Sequence, residues 1–92
     1  MLRFLIVIAL LFANSTVAGD LEDGVAALGR KDYATAFAKF NSAALQGSSR
    51  AQFNLGVMYD KGLGVAQDYT EAVLWYLLAA QQDKLKHSTV LV

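Results

Sequence analysis

The stretch LGVMYDKGLGVAQDYTEAVLWYLLAAQ, Leu55 to Gln81, reads as two helical segments with a glycine-x-glycine break between them. Leucine, methionine, alanine and aromatic residues fill both ends, while Gly62 and Gly64 stand two residues apart in the middle. Glycine takes backbone angles with φ above zero at no steric cost, so this pair lets a first helix stop, reverse and bring its partner back antiparallel. Val65, between the glycines and Asp68, is expected to pin the loop to the core. Glycine pairs also occur in phosphate-binding loops, but those follow a strand and carry a third glycine or a glycine-lysine pair. KGLGVAQD, Lys61 to Asp68, follows a helix and has neither, so nucleotide binding is set aside.

Outward from this hairpin the chain has no proline, and its β-branched residues are scattered, so alanine- and leucine-rich helices are the default. The pattern predicts four: Leu21 to Leu28, stopped around Gly29; Tyr33 to Gln46, N-capped by Asp32 and ended at Gly47; Ser49 to Lys61, capped by Ser48 or Ser49 and closed by Gly62; and Tyr69 to Gln82, capped by Asp68. Set against itself at an offset of 36, the chain pairs Tyr33 with Tyr69, Ala36 with Ala72, Phe40 with Tyr76, Ala43 with Ala79 and Ala44 with Ala80. A period of this size signifies stacked helical hairpins. The first helices of the two hairpins align less regularly, with Leu28-Gly29 set against Leu55-Gly56. The expected fold is all-α, two antiparallel helical hairpins stacked as a short α/α solenoid.

Ala51, Leu55, Gly56, Tyr59, Gly62, Gly64, Val65, Asp68, Ala72, Trp75, Tyr76, Ala79 and Ala80 together resemble the Sel1-like repeat, a relative of the tetratricopeptide repeat. The hairpin before it, with its short GRKDY turn, is similar to an ordinary tetratricopeptide hairpin. The resemblance implies a protein-binding scaffold. It also divides the chain into residues 19–47 as a first, tetratricopeptide-like hairpin, 48–83 as the Sel1-like hairpin and 84–92 as an irregular tail, DKLKHSTVLV from Asp83 onward departing from the usual continuation.

The first residues have the layout of a secretory signal peptide: Arg3, an apolar run from Phe4 to Ala13, then Thr16-Val17-Ala18 before the first acid at Asp20. Removal of residues 1–18 is expected, leaving a mature chain from Gly19 that is periplasmic or secreted. The apolar run is too short for a permanent membrane span, which needs roughly 20 residues. Eight Lys and Arg balance eight Asp and Glu, so nothing clusters positive charge for nucleic acid or anionic lipid. The absence of cysteine excludes a disulfide framework and thiolate chemistry, and fits a bacterial periplasm better than a small extracellular eukaryotic domain.

On a helical wheel Ala51, Leu55, Met58 and Tyr59 fall on one side of the third helix, expected to meet the fourth helix. Phe53, Gly56 and Val57 fall on the other, expected to meet the preceding hairpin. Arg50, Asn54 and Lys61 form a narrow polar seam between them, a candidate partner-binding surface on the concave side of a solenoid; the alternative for each is an ordinary solvated edge. Trp75 and Tyr76 read as core packing. On the fourth helix Ala72, Tyr76, Ala79 and Ala80 are assigned to the hairpin interface, while Leu74, Leu77 and Leu78 point away from it and are the second candidate surface, for a partner or a second copy.

Catalysis finds little support. His87, the only histidine, lies in the tail; Ser42, Ser48, Ser49 and Ser88 are not followed three residues later by lysine; and the carboxylates have no metal-ligand spacing. No cofactor and no metal are expected. The functional expectation is an exported helical-repeat module, not an enzyme, that mediates protein–protein interaction. The alternative is a β-lactam-interacting or other envelope enzyme-accessory protein.

Overall fold

The structure, a computed structural model, describes the backbone of residues 19–91 and the side chains of residues 19–84. The expected signal segment and the side chains of His87 and Ser88 lie outside the described residues. Four helices and no strand occur among the described residues: α1 (19–29), α2 (Tyr33–Leu45), α3 (Ser49–Lys61) and α4 (Tyr69–Leu91). α1 and α2 form one antiparallel hairpin, α3 and α4 the next, and the second stacks on the first.

Their ends are set by local chemistry. Ser48 Oγ accepts from the Ala51 amide at 3.2 Å and Asp68 Oδ1 from the Glu71 amide at 3.2 Å; Asp32 Oδ1 makes a longer contact, 3.4 Å, with the Thr35 amide. Each cap satisfies an amide that the first turn of a helix leaves without a partner. The first three helices end alike. A left-handed residue is followed by an amide that reaches back five residues: Asp32 to the Ala27 carbonyl, Ser48 to Ala43 and Leu63 to Met58, at 2.9, 3.1 and 2.9 Å. The left-handed residues are Lys31, Gly47 and Gly62, with φ of 62°, 97° and 70°. Gly29, expected to stop α1, remains within the helix, and the lysine two residues on takes the unusual angle.

The loop of the second hairpin closes as its glycines require. Gly64 also has positive φ, 73°, and a Cβ there would stand 2.7 Å from the Tyr33 carbonyl oxygen, so the loop rests on the start of α2. Leu63, rather than Val65, packs against the core. Asp68 N–H donates to the Tyr59 carbonyl at 2.9 Å and Gln67 Nε2 to the Asp60 carbonyl at 2.6 Å, fastening the loop to the last turn of α3.

The core is made of small residues around three large ones: Ala27, Ala36, Ala43, Ala44 and Ala51 with Phe40, Leu55 and Met58. Alanine faces bring helices close, and their contact is extended by Trp75, packed on the cluster's edge, and by an edge-to-face pair between Phe37 and Tyr59, centroids 5.7 Å apart. Gln52, also buried, donates from Nε2 to the Ala44 carbonyl at 3.2 Å. Asp20, at the start of α1, is 3% exposed and accepts from Ser42 Oγ at 2.6 Å, with Lys39 Nζ 3.6 Å away.

Two assignments made from the sequence are reversed. Ala51, Leu55, Met58 and Tyr59 face α1 and α2, and the face carrying Phe53 and Gly56 meets α4. Both faces are apolar, so periodicity finds them without telling which neighbour each one has. The second reversal concerns the tail, expected to be irregular from residue 84. α4 runs on as helix to Leu91, because no glycine or proline follows Gln82 to stop it.

Candidate functional site

An open groove of about 690 Å³ lies between the first half of α3 and the middle of α4. α3 contributes Ser49, Arg50, Phe53 and Asn54, and α4 contributes Tyr76, Ala79, Ala80 and Asp83. Ser49 Oγ donates to Asp83 Oδ1 at 3.0 Å and ties the two walls together at one end. Phe53, half-exposed, rests against Tyr76 with centroids 5.3 Å apart. Gly56 lets the Tyr76 ring approach the α3 backbone, and Tyr76 Oη donates to Asp60 Oδ2 at 3.4 Å. Burial, reinforced by the Asp60 charge and this bond, raises the Tyr76 phenol above its ordinary value. Burial raises that of Tyr59 too, with smaller contributions from Glu71 and Asp68. Both phenols therefore stay protonated near neutrality; Tyr59 lies outside the groove, and within it the Tyr76 hydroxyl is given to Asp60, so the groove offers apolar surface flanked by Arg50 and Asn54 rather than a tuned acid or base.

The expected polar seam is split. Arg50 and Asn54 line the groove, but Lys61, two turns further along α3, is exposed beyond it. Leu74, Leu77 and Leu78 are 55%, 58% and 39% exposed on the outer face of α4. Val73, 53% exposed, extends that apolar face and was not singled out from the sequence. Its signal was present: at an offset of 36 it matches Phe37, which in α2 is covered by Tyr59. Phe53 was missed as a groove residue because its face was assigned to the other hairpin. Ala80, expected at the hairpin interface, is exposed and belongs to the groove, while Ala72 and Ala79 are buried beneath α3.

The serine hydroxyls considered for catalysis have structural partners: Ser42 donates to Asp20, Ser49 donates to Asp83, and Ser48 caps α3. Among the described residues no group of three His, Cys, Asp or Glu side chains is placed to hold a metal ion. None of the described helices is long and apolar enough to cross a membrane.

The family model of the Sel1 repeat matches residues 49–84, the hairpin that carries the groove. Protein sel-1 homolog 2 of Rattus norvegicus is 44% identical over 62 residues, 66% of this chain and 9% of that protein. The ERAD-associated E3 ubiquitin-protein ligase component HRD3 of Candida glabrata is 44% identical over 46 residues, 50% of this chain and 6% of its own length. Chitin synthase regulatory factor 3 of Schizosaccharomyces pombe is 43% identical over 42 residues, 46% of this chain and 4% of its own. The chain thus spans less than a tenth of each of these relatives. No solved structure matches it significantly.

Proposed function

We propose that this chain, a Sel1-like repeat protein, works as an exported scaffold or adaptor that binds another protein through the open face of its second hairpin. Sel1 repeats mediate protein–protein interaction, and this one carries its apolar residues where a partner can reach them. The observation that carries the reading is the exposure of Leu74, Leu77 and Leu78, 55%, 58% and 39%, on the outer face of α4. Fully burying a leucine contributes roughly 1.5–3 kcal/mol and covering one of these half-exposed ones about half as much, so the face favours a protein cover, either a partner or a second copy. Two relatives, a component of a ubiquitin ligase and a regulatory factor of chitin synthase, are by name proteins that act together with others. Arg3, the Phe4 to Ala13 run and Thr16-Val17-Ala18 support export, to a periplasm or out of the cell. A non-enzymatic role is supported by the structural use of Ser42, Ser48 and Ser49.

Affinity capture from the native envelope, run in parallel with the unaltered chain and with Leu74→Glu/Leu78→Glu, tests the binding role. A partner retained by the first and lost by the folded double variant is the expected result; equal capture by both refutes docking at this face. Light scattering on the same pair reads self-association. The exported protein should have a mass that begins at or near Gly19, whereas an intact Met1 in the membrane fraction would refute processing. Chromogenic β-lactams should not be turned over.

A further inference from the structure

The groove has an internal precedent, and the two hairpins superpose in sequence once their close glycine–ring contacts are matched. Gly24 approaches Phe40 as Gly56 approaches Tyr76. Matching them sets Leu21 against Phe53 on the first helices, and Phe40, Ala43 and Ala44 against Tyr76, Ala79 and Ala80 on the second. In the first hairpin those positions are the floor on which α3 lies: Phe40, Ala43 and Ala44 are 0%, 1% and 3% exposed, with Leu21 packed beside them. In the second hairpin the same positions line the groove, and Ala80 and Phe53 are exposed.

From this equivalence we infer that the groove between α3 and α4 is a seat for one α-helix of a partner protein, presenting small side chains and a leucine on its inward face as α3 presents Ala51 and Leu55 to the first hairpin. The inference rests on the protein-binding role proposed above and specifies the shape of what is bound. Alanines at the floor admit a helix at close range, and Phe53 and Tyr76 supply the flanking apolar area. Neither first helix of a second copy suits the seat. The seat-filling face of its α3 is already buried, and its α1 carries Asp23 at the position of Leu55, a carboxylate that would lose its water without gaining a partner. Nor does α4 bend back over the groove, since it continues as helix to Leu91.

The probe is a fluorescein-labelled, hydrocarbon-stapled helix with the sequence of residues 49–61, whose helicity is verified by circular dichroism, titrated against the full chain by fluorescence anisotropy. Saturable binding is expected, weakened at least about tenfold by Ala80→Glu in the chain or Leu55→Glu in the peptide, and unchanged by Val25→Glu on exposed α1. No saturable binding of the helical peptide, or binding indifferent to Ala80→Glu, overturns the seat. Self-association of the chain that is abolished by Ala80→Glu gives the seat to a second copy and also overturns the proposal. A native partner whose capture is lost with Leu74→Glu/Leu78→Glu but kept with Ala80→Glu overturns the seat while leaving the protein-binding role intact.

Discussion

Gly56 lies against the ring of Tyr76 so closely that a Cβ there would stand 2.6 Å from Cδ1 and Cε1, and 3.2 Å from the Ala72 carbonyl oxygen. In the first hairpin Gly24 stands in the same relation to Phe40, with contacts of 2.7 Å. Each hairpin is therefore closed by a missing side chain on its first helix, which lets an aromatic ring of the second reach the backbone. What differs is the surrounding: Phe40 is enclosed on every side, while Tyr76 borders the open groove.

That difference orders two substitutions. A methyl group at position 24 meets a ring that cannot move, and Gly24→Ala should destabilise the protein by about 1–3 kcal/mol, the usual cost of overpacking. Gly56→Ala meets a ring with room toward the groove and should cost less, with the gain of alanine over glycine in a helix offsetting part of the strain. Denaturant titrations of both variants check the order; equal or reversed costs would show that Tyr76 is held as firmly as Phe40.

Gly64→Val joins two penalties. Its φ of 73° suits glycine, and a Cβ would meet the Tyr33 carbonyl oxygen at 2.7 Å, a backbone atom that cannot give way without moving α2. The expected loss is about 1–3 kcal/mol from the backbone conformation alone, with the clash added to it. An unchanged thermal midpoint would show that the loop relaxes away from α2.

Much of this architecture was legible because its signals are local. Asp32, Ser48 and Asp68 cap because a short oxygen-bearing side chain precedes each helix, and Gly62 and Gly64 take the angles that glycine permits. The offset of 36 recovered the pairing of α2 with α4. The faces of α3 were not legible in the same way, since Ala51-Leu55-Met58 and Phe53-Gly56 are both apolar and the wheel does not name their neighbours. Matching Gly29 to Gly56 hid the clue; Gly24 is the true counterpart, and the second loop is longer than the first. The groove depends on that register, so Arg50 and Asn54 were found as surface residues while Phe53 and Ala80, which give the groove its apolar character, were assigned to interfaces.

Lys31 offers a stabilising change. It is exposed and holds φ at 62° where α1 ends, the role that Gly47 and Gly62 fill at the next two helix ends. A left-handed non-glycine residue costs about 1–2 kcal/mol, and glycine's greater freedom in the unfolded chain returns part of that. Lys31→Gly should therefore raise stability by up to about 1 kcal/mol, read as a higher urea midpoint at unchanged m value. A lower midpoint would mean that the lysine stem contributes packing beyond its cap position.

Alkaline pH acts through the two half-buried tyrosines. Burial first, and then Asp60, raises the Tyr76 phenol above 10.0; burial, Glu71 and Asp68 do the same for Tyr59. The folded chain keeps these protons at a pH where the unfolded chain has released them, so their contribution is fully present below pH 10.0 and is lost as pH rises through the folded values. The thermal midpoint should fall on going from about pH 9 to 11, and fall less in Tyr59→Phe/Tyr76→Phe. Parallel curves for the two proteins would assign the alkaline loss to other groups.

The first hairpin is fastened by a buried carboxylate, and its partners can be separated by mutation. Asp20 Oδ2 accepts from Ser42 Oγ at 2.6 Å, and Oδ1 lies 3.6 Å from Lys39 Nζ, while the carboxylate itself is nearly cut off from solvent. A hydrogen bond to a charged group contributes about 1.5–3 kcal/mol, more than the ion pair with a lysine that is itself partly in water. Ser42→Ala removes the bond and leaves the carboxylate desolvated with one partner fewer, so it should cost about as much as Asp20→Ala, whose loss of charge also relieves desolvation. Lys39→Ala should cost less than about 1 kcal/mol. In a double-mutant cycle the Asp20–Ser42 pair should show the larger coupling, insensitive to salt, and the Asp20–Lys39 pair a smaller one that shrinks as salt is added. If the lysine coupling proves the larger, the charge rather than the hydroxyl holds α1 against α2.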